Sequence, residues 1–155
     1  MLDVGDKAPG FSLPADGGEQ VTLSKLKGKP VILYFYPKDD TSGCTKEAIS
    51  FSGLNGEFSK FGVEIIGVSP DSVASHETFK AKHKLSVTLV ADEEKTLAQA
   101  YGVWVEKNMY GRKYMGVERA TFLVDPKGKI AGVWRKVKVP GHAEKVLEAV
   151  QDLAA

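Results

Sequence analysis

The chain holds one cysteine, Cys44, inside the stretch YFYPKDDTSGCTKEAISF that runs from Tyr34 to Phe51. A lone thiol cannot close an internal disulfide. It also falls short of the paired cysteines that a zinc site of the usual spacings needs. What remains is nucleophilic chemistry, because a deprotonated thiol attacks electrophilic atoms. The residues before Cys44 are a proline, two aspartates, a threonine, a serine and a glycine. If Thr41 or Ser42 caps a helix, Cys44 lies in its first turn. Free backbone N–H groups and the positive end of the helix dipole favour an anion there. Gly43 lets another backbone N–H approach without a side chain in the way. A free cysteine is most often a small buried hydrophobe. Here it follows a polar loop at the C-terminal end of an apolar strand, where open α/β sheets place their ligands. That location favours a reactive thiol.

The elements that must position it are legible in outline. Phe11-Ser-Leu-Pro and Val21-Thr-Leu flank Ala15-Asp-Gly-Gly-Glu, a hairpin pattern with a glycine turn. Pro30-VILYFY is apolar without alternation, as in a strand buried on both faces. Ala48, Phe51, Leu54, Phe58 and Phe61 then recur at helical spacing. Val63-EIIGVS and Val87-TLVA are further strands. Ser72 is placed to cap a helix carrying Val73, Phe79 and His83, and Asp92 to cap EEKTLAQAYG. Residues 106–116, EKNMYGRKYMG, are polar and glycine-containing and are expected to be a loop. It is open whether that loop contacts a partner, covers the site or does neither. Ala120-TFLVD and Ile130-AGVWRKV flank the turn signal Pro126-Lys-Gly-Lys, and a last helix is expected from Pro140 or Gly141. Strand–helix–strand crossovers demand parallel pairing, and the late hairpin supplies antiparallel pairing. A central mixed β-sheet flanked by helices follows, with an N-terminal hairpin, as an α/β fold.

At 155 residues the chain suits one domain, 1–155. The formal net charge of +1 gives no general reason to bind nucleic acid or an anionic membrane. The start has neither a basic nor an apolar signal region, and no apolar run approaches membrane-spanning length. A reducing, cytoplasmic setting fits a single cysteine. His76 and His83 sit seven apart on one helix face, and no further ligand is in view to support a metal. Asp39 and Asp40 are taken as turn formers, not as an acid–base pair.

Pro37-x-x-x-Thr41-x-x-Cys44 resembles the active-site signature of the peroxiredoxins, thiol peroxidases on a modified thioredoxin fold. FYPKDDTSGCTKEA is especially similar to the bacterioferritin comigratory protein subfamily, also called peroxiredoxin Q. The likeness extends over GDKAPGFSLPADGG, GVSPDS and ERATFLVDPKGKI. The resemblance implies that Cys44 is the peroxidatic cysteine, oxidised to a sulfenic acid. It implies that Thr41 contacts thiolate and peroxide and that Pro37 shapes and shields the pocket. It implies that Arg119 reaches the site from a distant strand, oriented by Glu47. Each residue also has a plainer reading: Thr41 as an N-cap, Pro37 as a strand terminator, Arg119 and Glu47 as solvated surface. No cofactor and no metal are called for.

The chain departs from the subfamily where many members carry a second, resolving cysteine. Five residues past Cys44 stands Ile49, and Ser75 to Leu85 contains no cysteine. A sulfenic acid condenses with a thiol, so the second thiol must come from an external reductant: thioredoxin, glutaredoxin, glutathione or another small thiol. The expected protein is a monomer or weak dimer that reduces hydrogen peroxide and small organic hydroperoxides. The competing expectation is a non-enzymatic thioredoxin-like redox sensor or holdase. A thiol–disulfide oxidoreductase is disfavoured because Cys-x-x-Cys is missing.

Overall fold

A computed structural model describes residues 2–155. The central sheet has five strands in the order β5-β4-β3-β8-β9. They span Val31–Phe35 (β3), Glu64–Ser69 (β4), Thr88–Ala91 (β5), Ala120–Val124 (β8) and Ile130–Trp134 (β9). Strand β3 pairs in parallel with β4, and β4 with β5, while β3–β8 and β8–β9 are antiparallel. The parallel half follows from its helical crossovers: α1 (Ser42–Gly53) and α2 (Asn55–Ser59) link β3 to β4, and α3 (Val73–His83) links β4 to β5. The expected N-terminal hairpin is present as β1 (Ser12–Pro14) and β2 (Gln20–Thr22), with Leu13 opposite Val21.

All five residues of β3 are buried, which explains the unbroken apolar run. The strand serves two cores. Val31, Leu33 and Phe35 point into one, with Phe122, Tyr101 and Leu97 of helix α4 (Thr96–Ala100). Ile32 and Tyr34 point into the other, joined there by Tyr36 just beyond the strand. That second core is built on Phe51, Phe58, Phe79 and Val146 of the helices, α5 (His142–Ala154) included. Tyr34 faces Gly67 across the β3–β4 ladder. A Cβ on Gly67 would lie 2.6 Å from Tyr34 Cζ, so only glycine leaves room for the ring.

Three expectations need correction. The apolar spacing from Ala48 to Phe61 does not run through one helix. It breaks at Leu54 (φ −98°, ψ 2°), right after Gly53, where helix propensity is weakest. Asp92 does accept from the N–H groups of Leu97 and Ala98, yet α4 begins only at Thr96. Residues 106–116 are not a loop. They belong to an antiparallel hairpin, β6 (Trp104–Met109) and β7 (Arg112–Val117), turning at Tyr110 and Gly111 with φ of 53° and 78°. Ser72 caps α3 as expected, its Oγ accepting from Ser75 N at 3.1 Å.

Candidate active site

The chain leaves β3 at Tyr36, whose N–H still donates to Val68 O of β4. It then passes through residues 37–41 into α1. Thr41 holds the extended N-cap conformation, but its hydroxyl makes no capping bond; Oγ1 donates instead to Lys38 O at 2.8 Å. Cys44 therefore stands third in α1, in the first turn, as the capping pattern requires. Pro37 is half-buried in the entering loop.

Cys44 is 2 % exposed and is not alone. Arg119 donates from Nη2 to Cys44 Sγ at 3.3 Å and from Nη1 to Glu47 Oε1 at 2.7 Å. The fold explains the reach. Ala120 opens β8 opposite Phe35 in the antiparallel register, so Arg119 lies beside the exit of β3, where the cysteine loop begins. Glu47 stands one helical turn past Cys44, and its carboxylate thus shares a face with the thiol. Gly43 admits the guanidinium, since a Cβ there would come within 3.2 Å of Arg119 Nη2. The structure accordingly brings Cys44, Arg119 and Glu47 into contact. Thr41 lies just before them in the loop, and its hydroxyl bonds to the loop backbone.

Charge in this site is set by burial and by the guanidinium. Burial pushes the Glu47 carboxyl up to about 7, against the downward pull of Arg119. Its second oxygen, Oε2, has no hydrogen-bond partner among the described residues. Burial works against the Arg119 charge, but Glu47 and then Cys44 outweigh it and hold the guanidinium above its ordinary value. Tyr34 lies beneath, fully buried and stacked on Phe51 with ring centres 4.7 Å apart. Burial, then the charge of Glu47, keeps its phenol well above the usual range. From the β6–β7 hairpin, Lys107 enters the same field: burial, then Arg119, lowers its ammonium, while Cys44 and Glu118 oppose that.

Residues 39 and 76 form a buried contact beyond the turn itself. Asp40 is a turn former, with φ 60°. Asp39 shares that turn, as expected, but is also buried and bonded to Tyr36, Ser75 and His76. His76 is fully buried, whereas His83 bonds to Asp40 in the surface turn. Ligand atoms of Asp39, Asp71 and His76 lie within 4.8 Å of one another, but Asp39 and His76 already use them in mutual hydrogen bonds. The adjacent Asp-Asp pair gave no sign that one carboxylate turns inward.

A thioredoxin-like α/β scaffold carrying a thiol, a guanidinium and a carboxylate in one chain of contacts, the thiol and carboxylate buried and the guanidinium partly so, defines a class of thiol enzyme. The AhpC/TSA family profile matches residues 4–133. The chain is 54 % identical over 146 residues to a putative peroxiredoxin bcp of Coxiella burnetii, covering 94 % of this chain and 97 % of that one. It is 47 % identical over 153 residues to peroxiredoxin Bcp of Bacillus subtilis, covering 99 % and 98 %. Among solved structures it is similar to the Xanthomonas campestris bacterioferritin comigratory protein, reported with that protein's alkyl peroxide reduction activity. The TM-score is 0.93 at 44 % identity, over 99 % of this chain and 100 % of that one. A Xylella fastidiosa PrxQ mutant superposes with a TM-score of 0.95 at 39 % identity, over 100 % and 99 %. The chain belongs to the AhpC/TSA family and is a thiol peroxidase of the peroxiredoxin Q kind.

Proposed function

We propose that Cys44 is the attacking nucleophile, working on hydrogen peroxide and small organic hydroperoxides. Its thiolate displaces one peroxide oxygen: an S–O bond forms, the O–O bond breaks, and the departing oxygen takes a proton to leave as water or an alcohol. The sulfur, oxidised, becomes a sulfenic acid. Negative charge moves from sulfur to the leaving oxygen during this step. Arg119, always charged and rigidly forked, follows that charge. The Gly43 and Cys44 amides assist it, joined by the Thr41 hydroxyl as it turns from Lys38 O toward the peroxide; Glu47 holds Arg119 in place, and Pro37 limits access to the sulfur. The observation that carries this reading is the 3.3 Å contact between Arg119 Nη2 and Cys44 Sγ. A preorganised donor at a developing charge is worth about 3 to 4 kcal/mol.

The second half of the cycle uses a thiol from outside, since Cys44 is the only cysteine. An external thiol condenses with the sulfenic acid, releasing water and leaving a mixed disulfide. A second thiol then releases Cys44 as the external pair becomes a disulfide. Thioredoxin, glutaredoxin and glutathione are the reductants in view, for a one-domain cytoplasmic protein acting as a monomer or weak dimer. Among the described residues no helix is long and apolar enough to cross a membrane. Peroxide consumption by wild type and Cys44→Ser, measured with each reductant in turn, tests activity, nucleophile and donor together. Intact-mass analysis under excess peroxide should show oxygens added at Cys44. Unmodified Cys44 under those conditions would sink the assignment.

A further inference from the structure

Asp39 is 8 % exposed, and every oxygen of its side chain is occupied. Oδ1 accepts from Tyr36 Oη at 2.6 Å; Oδ2 accepts from Ser75 Oγ at 2.8 Å and faces His76 Nδ1 at 2.7 Å. His76, 0 % exposed, meets Val90 O of β5 with its other nitrogen at 2.9 Å. A carbonyl only accepts, so Nε2 carries a proton. The 2.7 Å separation of Nδ1 and Oδ2 ties the imidazole directly to the carboxylate. The backbone of Asp39 is tied too: its N–H donates to Asp71 Oδ2 at 2.8 Å, which also accepts from Ser69 Oγ at 2.6 Å. One loop residue is thereby anchored to the ends of β3 and β4, to α3 and, through His76, to β5.

No atom of this network bonds to Cys44. It acts on what lies between. On one side of Asp39, Lys38 O receives the Thr41 hydroxyl; on the other, Thr41 O receives the first helical N–H that follows, from Thr45, at 2.8 Å. Asp40 holds a left-handed φ of 60°, a conformation that needs support. Its own bonds to Lys82 and His83 are on the surface, where ion pairs stabilise little. The buried clamp at Asp39 is the stronger restraint, since a buried polar pair that loses one member leaves the other desolvated and unpaired.

Resting on the reading of Cys44 as the peroxide-attacking thiol, we propose that His76 is a positioning residue: through Asp39 it sets the loop that aims Thr41 and the first-turn amides at the reacting sulfur and oxygen. Misplacement of about 1 Å costs on the order of 100-fold in such sites.

The test compares two reactions of the same thiol. Alkylation by iodoacetamide needs only a thiolate and access, whereas attack on hydrogen peroxide also needs the donors in place. His76→Phe and Asp39→Ala are expected to lower the peroxide rate by about 10- to 100-fold and to leave the alkylation rate nearly unchanged. Asp39→Asn, whose amide can donate to the unprotonated Nδ1 of a neutral His76, should react with peroxide faster than Asp39→Ala. Should His76→Phe fail to fold, the same ratio read on the two Asp39 variants decides. Equal peroxide rates in folded variants and wild type overturn the proposal. So does a parallel fall of both reactions, which marks a general loss of structure or thiolate. A wild type inert to peroxide at Cys44 would overturn the thiol reading beneath it instead.

Discussion

Arg119 and Cys44, 75 residues apart in sequence, meet through a 3.3 Å contact from Nη2 to Sγ, and the other arm of the same guanidinium holds Glu47 Oε1 at 2.7 Å. The fork geometry lets one side chain touch the thiol sulfur and the Glu47 carboxylate together. Arg119→Met should lower the rate of Cys44 oxidation by about 10²- to 10³-fold, the effect of removing one donor from a developing charge. Arg119→Lys should recover only part of this, because an ammonium offers a point charge where a planar fork fits. Stopped-flow oxidation of the reduced protein reads both. A loss below tenfold in Arg119→Met would contradict the role of this contact.

Glu47 makes stability depend on pH. Burial raises it from 4.5 to about 7, so between those values the folded chain binds more protons than the unfolded one. Stability from this group is present below pH 4.5 and is lost as pH rises through 7. Glu47→Gln lacks that slope. Urea unfolding at several pH values should show wild type losing ground to Glu47→Gln on going from pH 5 to pH 7, by at most about 1.4 kcal/mol per unit. Parallel curves would refute it.

His142 has the opposite sign. It is buried at the start of α5, with Nε2 2.8 Å from Thr121 Oγ1. Burial, then the charges of Lys145 and Arg119, depresses it from 6.5 to about 4. Between those values the unfolded chain binds more protons, so stability falls as pH drops from 6.5 through 4. His142→Gln should flatten this acid limb in the same urea series. The two windows overlap between 4.5 and 6.5 and partly cancel in wild type, so the single variants should reveal slopes that the parent hides.

The sequence shows the place of Cys44 well and its company poorly. A strand, a polar loop and a helix start can be read from adjacent residues, and the thiol falls at the junction. Arg119 enters only through resemblance to a family, because nothing local in VERATF says that β8 runs antiparallel beside β3. Asp39 looks like its neighbour Asp40. The left-handed turn at Asp40 sends one carboxylate inward and the other out, and the partner of the buried one, His76, lies 37 residues away. The β6–β7 hairpin is not legible in the sequence because most of its residues are exposed or half-exposed, leaving no apolar alternation. Its two-residue turn also uses Tyr110 where asparagine or aspartate is usual. The helix break at Leu54 was hidden because Phe58 and Phe61 keep the apolar spacing of one helix across it.

Gly67→Ala should destabilise the fold by about 1 to 3 kcal/mol, the usual cost of forcing a group into a filled core. The added methyl would strike Tyr34, which cannot retreat because its ring is stacked on Phe51 and fully buried. Thermal unfolding measures the loss. An unchanged melting temperature would mean that the ring has somewhere to go.

The depth of Cys44, with only 2 % of the residue exposed, sets unequal terms for its two kinds of visitor. A peroxide is a few atoms across and asks for little room. A tripeptide or a protein thiol is far bulkier and has to bring its own sulfur to the same atom. A small oxidant and a bulky thiol thus place unequal demands on the packing around one sulfur.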